Sequence, residues 1–315
     1  MLSEYSIDPE IFESVEQFQR IIEACGICEG RYVTNLPLRR WEEMVFKWLL
    51  AKDPSRVRRA EELLTQCKRR HGLIPSRVSK CLDWIEATIE QHKSQPFKAV
   101  ITGNESFPVR TSINELSVDI NPWKSKRGDR IPIDAVSIGN IAAPLLRISE
   151  EIILLDPYFD PKKDRYHESL AQLVKHSIHC GKKPDRFECH CKINLSQVKH
   201  GPTDTPDAWS HRFEKDCRTR LPEQLPSGFE MKVVLWDEIP GKEIMHARYV
   251  MTELAALNFE HGLDDSERDA TTDVSWLSPE VHRSRWADLQ LNSSCYRRIR
   301  SIEIIGKGES QQQNL

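Results

Sequence analysis

Two stretches constrain what this chain can fold into. The first, Ile152-Ile-Leu-Leu-Asp156-Pro-Tyr158-Phe159-Asp-Pro161, is an apolar run closed by acids and prolines. The second, Met245-His246-Ala-Arg248-Tyr-Val-Met-Thr252-Glu253, sets an imidazole and a guanidinium two residues apart in a strand-forming run. Around them, periodicity and turn residues predict strands at residues 152–155, 187–195, 231–236, 245–251 and 273–277. Helices are expected over 133–148, 166–179, 208–220 and 279–291. Strands alternating with helices imply an α/β fold, a sheet flanked by helices. Residues two apart on a strand share one face, so His246 and Arg248 are expected side by side. A nucleophile beside a fixed cation suits attack on a phosphate ester.

His246-Ala-Arg248 followed by Glu253 resembles the H-x-K-x4-D motif of the phospholipase D superfamily, with Arg for Lys and Glu for Asp. The 152–161 stretch resembles the strand and Pro-Tyr-Phe opening of the same domain. The segment 257–265, with Gly262-Leu263-Asp264, is loosely similar to the segment that follows the motif. The resemblance covers about residues 134–305. It implies a phospholipase D-like mixed sheet and double displacement without a metal or other cofactor. In that chemistry one histidine attacks phosphorus and a second protonates the leaving oxygen. By position, His246 would be the nucleophile, Arg248 would hold phosphate oxygens, and Glu253 would support the site by hydrogen bonding. Only one such motif is present. The second histidine is therefore expected from the other copy in a two-fold dimer, with His190 or His261 as alternatives in the same chain.

The 315 residues allow one large or two ordinary domains. Residues 1–95 are expected to form a helical domain, 96–133 an irregular linker, 134–306 the phospholipase D-like domain, and 307–315 a disordered tail. Four helices are expected in the first region, near residues 9–25, 37–53, 57–70 and 79–92. A formal net charge of −3 argues against a uniformly basic nucleic-acid binder. Between Lys47 and Lys80, however, ten basic residues face three acids. Arg58, Arg59, Arg69 and Arg70 are candidates for phosphate-backbone contacts; the alternative is a solvated helix face. No apolar run reaches membrane-spanning length and no signal peptide is expected at the N-terminus. Nine scattered cysteines suit free thiols in the cytoplasm.

Asp156 and Tyr158 are candidates for shaping the substrate pocket, or they simply end a strand. Asp264, Asp265, Thr272 and Asp273 return the chain towards the motif. Asp264 and Asp273 are candidate substrate-binding residues, against a reading as an acidic loop with Glu267 and Asp269. Cys180, Cys189, His190 and Cys191, with Cys25 and Cys28 elsewhere, lack zinc-site spacing and are read as structural. Together these features predict a phosphodiesterase, foremost a homodimeric nuclease acting on DNA or RNA. It could serve with a second protein in bacterial antiviral defence. An inactive module that binds nucleic acid or a partner, and a lipid-directed enzyme, are the alternatives.

Overall fold

The computed structural model describes residues 1–105, 107, 110–179, 181–193, 205–265 and 270–308. Cys180, residues 199–204 of the expected loop, Glu267, Asp269 and residues 309–315 of the expected tail lie outside the described residues. The chain divides into two compact units, Met1–Arg127 and Gly128–Leu315.

The first unit is not purely helical. It holds β1 (Ser3–Ile7), α1 (Val15–Glu23), β2 (Arg31–Thr34), α2 (Trp41–Lys52), α3 (Val57–Arg69), β3 (Leu73–Ile74), α4 (Trp84–Ser94) and β4 (Ala99–Ile101). The four expected helices are there, but they flank a parallel sheet in the order β3-β2-β1-β4. α1 shows why a helix forms locally. Ser14 caps it by accepting from Gln17 N–H, and Val15, Phe18, Ile21 and Ile22 bury one face. Each such side chain, fully buried, stabilises the fold by about 1.5–3 kcal/mol. The strands carry polar residues that are buried because they are paired. Glu4 on β1 holds Arg77 through two bonds of 2.9 and 2.6 Å, and Ser6 bonds Thr88 at 2.9 Å.

Within the expected linker 96–133, the division between the two units falls at Arg127 and Gly128. Trp123 is buried with its ring 4.6 Å from that of Tyr5. Tyr5 donates to the Pro122 carbonyl at 2.6 Å, and Arg31 Nε to that of Trp123 at 2.5 Å.

The second unit contains β5 (Gly128–Pro132), α5 (Ala135–Leu146), β6 (Glu151–Leu155), α6 (Asp164–Ser177), β7 (Arg186–Lys192) and α7 (Pro206–Arg220). It continues with β8 (Glu230–Glu238), β9 (Arg248–Thr252), β10 (Ala256–Phe259), β11 (Thr271–Trp276), α8 (Pro279–Asp288) and β12 (Tyr296–Ile305). Its eight strands run β12-β8-β7-β6-β9-β10-β11-β5. β6, β7 and β8 are parallel, and the remaining neighbours are antiparallel. This is the mixed α/β architecture expected from the sequence. One face packs Ile153, Leu155, Val234, Trp236 and Met251 with Leu289 beside α8. The motif strand starts at Arg248, three residues later than expected, so His246 precedes it.

Candidate active site

β6, β7 and β8 are parallel and end on one rim of the sheet; antiparallel β9 begins there and β10 ends there. Carboxyl ends of parallel strands are where open sheets bind ligands. The rim gathers Asp156 and Tyr158 after β6, Lys192 and Glu238 at the ends of β7 and β8, Arg248 at the start of β9, and Glu260 and His261 after β10.

Asp156 is 3% exposed and accepts from the N–H groups of Tyr158 at 2.9 Å and Leu263 at 3.1 Å. Burial pushes its carboxyl above the usual range, against those two bonds and the nearby Arg248. It therefore ties the end of β6 to the loop after β10. Gly262 makes this turn at φ +121°, and a Cβ there would lie 2.5 Å from Asp264 Oδ1.

Tyr158 is partly exposed, and its ring has a cation to each side of its own strand. The Arg248 guanidinium carbon lies 5.1 Å and Lys192 Nζ 5.5 Å from the ring centroid. Arg248 Nη1 donates to the Glu260 carbonyl at 3.1 Å. Its Nε is buried without a partner, and no carboxylate among the described residues forms an ion pair with it. A guanidinium held by a carbonyl and an aromatic ring, with no carboxylate paired to it among the described residues, is suited to an anion.

His246 is exposed, and its Nδ1 lies 3.2 Å from the Ile244 carbonyl oxygen. A carbonyl can only accept, so in the neutral ring this contact favours the tautomer with its proton on Nδ1 and its lone pair on Nε2. The imidazole borders a small cavity of about 40 Å³ with Leu155, Tyr249, Arg285 and Tyr296. The segment before β9 is anchored by Glu238. Its Oε1 accepts from Met245 N–H at 3.0 Å and from Lys192 Nζ at 2.8 Å.

The other expected residues are placed as follows. Glu253 lies past the far end of β9, about 16 Å of strand beyond Arg248 at ~3.3 Å per residue. There it accepts from Glu150 and Glu151 N–H at 2.9 and 3.0 Å. Asp264 lies near Asp156 and pairs with Arg165 at 3.0 Å. Asp265 accepts from Ala135 N–H, the first residue of α5, at 3.3 Å. Thr272 is buried and accepts from His261 N–H at 3.2 Å. Asp273 sits opposite Arg130 across β11 and β5 and is paired with it at 2.8 Å, which holds its carboxyl below the usual range.

His190 is 1% exposed, with Nε2 3.0 Å from Glu188 and Nδ1 accepting from Trp236 Nε1 at 3.1 Å. Both nitrogens are engaged, so it is removed as an alternative proton donor. Cys189 and Cys191 are buried, and burial raises both thiols. Cys25 is buried and Cys28 exposed.

In the first unit, Arg58 and Arg69 are exposed and form no ion pair among the described residues. Arg59 is engaged with Glu62 at 3.5 Å, and Arg70 donates to the carbonyls of Glu23 and Ile22 at 3.2 and 3.3 Å. Arg77 is buried against Glu4. The basic surface is thus narrower than the residue count suggests.

Lys192 and Glu238 escaped the sequence reading. Each stands at the end of a strand, and parallel strands bring such ends to one rim; that is the signal that could have found them.

No protein-family model matches the chain. No curated protein matches it either. Among solved structures, it is similar to Nuc, a phospholipase D family member from Salmonella typhimurium, at 11% identity and a TM-score of 0.32. That likeness covers 55% of this chain and 97% of Nuc. It is also similar to TrmBL2, an archaeal chromatin protein with a described mode of DNA binding, at 9% identity and a TM-score of 0.27. There the coverage is 82% of this chain and 70% of the other. Likenesses at this level carry no functional weight.

Proposed function

We propose that this chain is a phosphodiesterase that cleaves a nucleic-acid backbone, with His246 as the nucleophile and Arg248 as the phosphate-holding cation. The observation that carries this reading is the presence on one rim of an exposed imidazole, His246, and an arginine, Arg248, that has no carboxylate partner among the described residues. The Nε2 lone pair attacks phosphorus while the guanidinium balances charge on the non-bridging oxygens. Lys192, next to the same tyrosine, adds a second positive charge at that edge. Arg58 and Arg69, exposed and unpaired by carboxylates among the described residues, favour a polyanionic nucleic acid as substrate.

Purified protein incubated with single- and double-stranded DNA and RNA in EDTA tests this reading. Cleavage by the wild type and its loss in His246→Ala are expected. Arg248→Ala should lower kcat/KM on the order of 10- to 150-fold, the worth of a charge-assisted hydrogen bond. Cleavage that stops in EDTA, or survives His246→Ala, would contradict it.

The distance of Glu253 from the rim favours a second reading, in which the same cations bind a phosphate backbone without cutting it. Binding without cleavage by the wild type would decide for that module.

A further inference from the structure

His246 stands on irregular backbone between β8 and β9, so no strand ladder holds it in place. Ile244, whose carbonyl faces His246 Nδ1, is 61% exposed and its side chain gives little anchorage. Both of its neighbours are held. On the sheet side Met245 is buried and Glu238 binds its N–H. On the other side Glu243 is held from α8, where Arg285 Nη2 lies 2.8 Å from Glu243 Oε1. The same guanidinium stands against the phenol of Tyr249, the second residue of β9. Glu243 and Tyr249 lie three residues before and three residues after His246. One side chain thus takes hold of the chain on both sides of the imidazole. Arg285 and His246 also border the same small cavity.

α8 is fixed firmly enough to serve as a support. Ser278 caps it by accepting from Val281 N–H at 3.3 Å. Buried His282 donates from Nε2 to the carbonyl of Thr252, the last residue of β9, at 2.8 Å. Residues three apart on a helix are neighbours on its surface, so His282 and Arg285 meet β9 near its two ends. Leu289, one turn beyond Arg285, is buried with Tyr249 and Met251. Arg285 Nη1 lies 3.6 Å from Asp288, so two carboxylates already balance its charge. Arg248, by contrast, is bound to a carbonyl. Holding the chain therefore suits Arg285 better than holding a phosphate.

We propose that Arg285 is a positioning residue for the nucleophile: from α8 it fixes the backbone on either side of His246, and with it the carbonyl that orients the ring. This rests on the phosphodiesterase reading above. Without Arg285 the imidazole loses its fixed direction, while the phosphate contact at Arg248 remains. The loss then falls on kcat and spares KM. Lysine at this position keeps a charge for Glu243 but lacks the fork that reaches Tyr249 as well.

The test takes Arg285→Ala, Glu243→Ala, the double variant and Arg285→Lys, assayed on DNA in EDTA. Each single truncation should lower kcat about 10- to 100-fold with KM little changed. The double variant should lose no more than the worse of the two, because both remove one contact. Arg285→Lys should recover part of the rate. Glu243 is 40% exposed, so its truncation leaves the core intact and serves if Arg285→Ala does not fold. Nitrogen-15 spectra of the His246 ring give a readout independent of turnover. One neutral tautomer, protonated on Nδ1, is expected to dominate in the wild type, and the two tautomers to average in the truncated variants. Unchanged kcat, additive losses in the double variant, a change in KM alone, or a wild-type ring spectrum in both truncations would overturn the proposal. Cleavage that survives His246→Ala, or no cleavage by the wild type, would instead remove the underlying reading, and the ring spectra would still decide whether Arg285 sets the imidazole.

Discussion

Nδ1 of His246 lies 3.2 Å from the carbonyl oxygen of Ile244, two residues back along the chain. The backbone therefore sets the tautomer, where many catalytic histidines rely on a carboxylate. Placement of Ile244 and His246 then depends on what holds this segment against the sheet, and that is Glu238.

Glu238→Ala should therefore act on turnover through position. It frees Met245 N–H and Lys192 Nζ at once. A misplacement of about 1 Å can cost on the order of 10²-fold in rate. A fall in kcat of up to that size, with partial rescue in Glu238→Gln, is expected from steady-state kinetics. Unchanged kcat would show that the segment is held by other means.

Glu253→Ala should act on stability instead. Its carboxylate holds two backbone N–H groups at the start of β6. Losing bonds to a charged acceptor costs about 1.5–3 kcal/mol each at most, so a fall in urea midpoint is expected with kcat preserved. Loss of kcat without loss of stability would return Glu253 to the chemistry.

The basic surface of the first unit should divide by pairing. Arg58→Glu and Arg69→Glu together should lower the slope of log K against log salt by about 2, if each meets one phosphate. Arg59→Glu and Arg70→Glu should change it less, since Glu62 and the α1 carbonyls already engage those side chains. Equal effects from both pairs, measured by titration at several salt concentrations, would contradict the division.

Stability of the second unit should fall below about pH 6.5. His190 is neutral in the fold, because Trp236 donates to its Nδ1, and burial lowers its pKa from 6.5. The unfolded imidazole takes up a proton below its ordinary pKa, so the unfolded state binds more protons there. The contribution is complete above about pH 6.5 and is lost as pH falls towards the folded value. One such group sets a slope of at most about 1.4 kcal/mol per pH unit. His176, lowered to about 4 by burial beside Arg147 and Lys175, and His282 act in the same direction. His190→Gln should reduce the slope between pH 6.5 and 5 in urea unfolding. An unchanged slope would mean that His190 is not held neutral.

The second unit was legible because two of its three parallel strands carry apolar runs. Ile152 to Leu155 and Val233 to Trp236 show this directly, since strands covered on both faces need no alternation. The first sheet was not legible. Its strands have two to five residues, and Glu4, Ser6, Arg31 and Thr34 are buried within them. Burial of those residues depends on distant partners such as Arg77 and Thr88, and no local pattern reports such pairing. At the rim, residue type singled out His246 and Arg248 as candidates. Spacing reports which face of a strand a residue shares, not which end it reaches, so the sequence alone did not show that Glu253 stands past the far end of β9.

The central claim is that His246 becomes covalently bonded to phosphorus. The direct measurement is mass spectrometry of peptides from wild-type protein mixed with a DNA diester in EDTA and quenched in base, where a phosphorus–nitrogen bond survives. The account predicts a nucleotidyl or phosphoryl adduct on His246, absent from His246→Ala. Steady cleavage with no adduct on His246, or with the adduct on another residue, would contradict it.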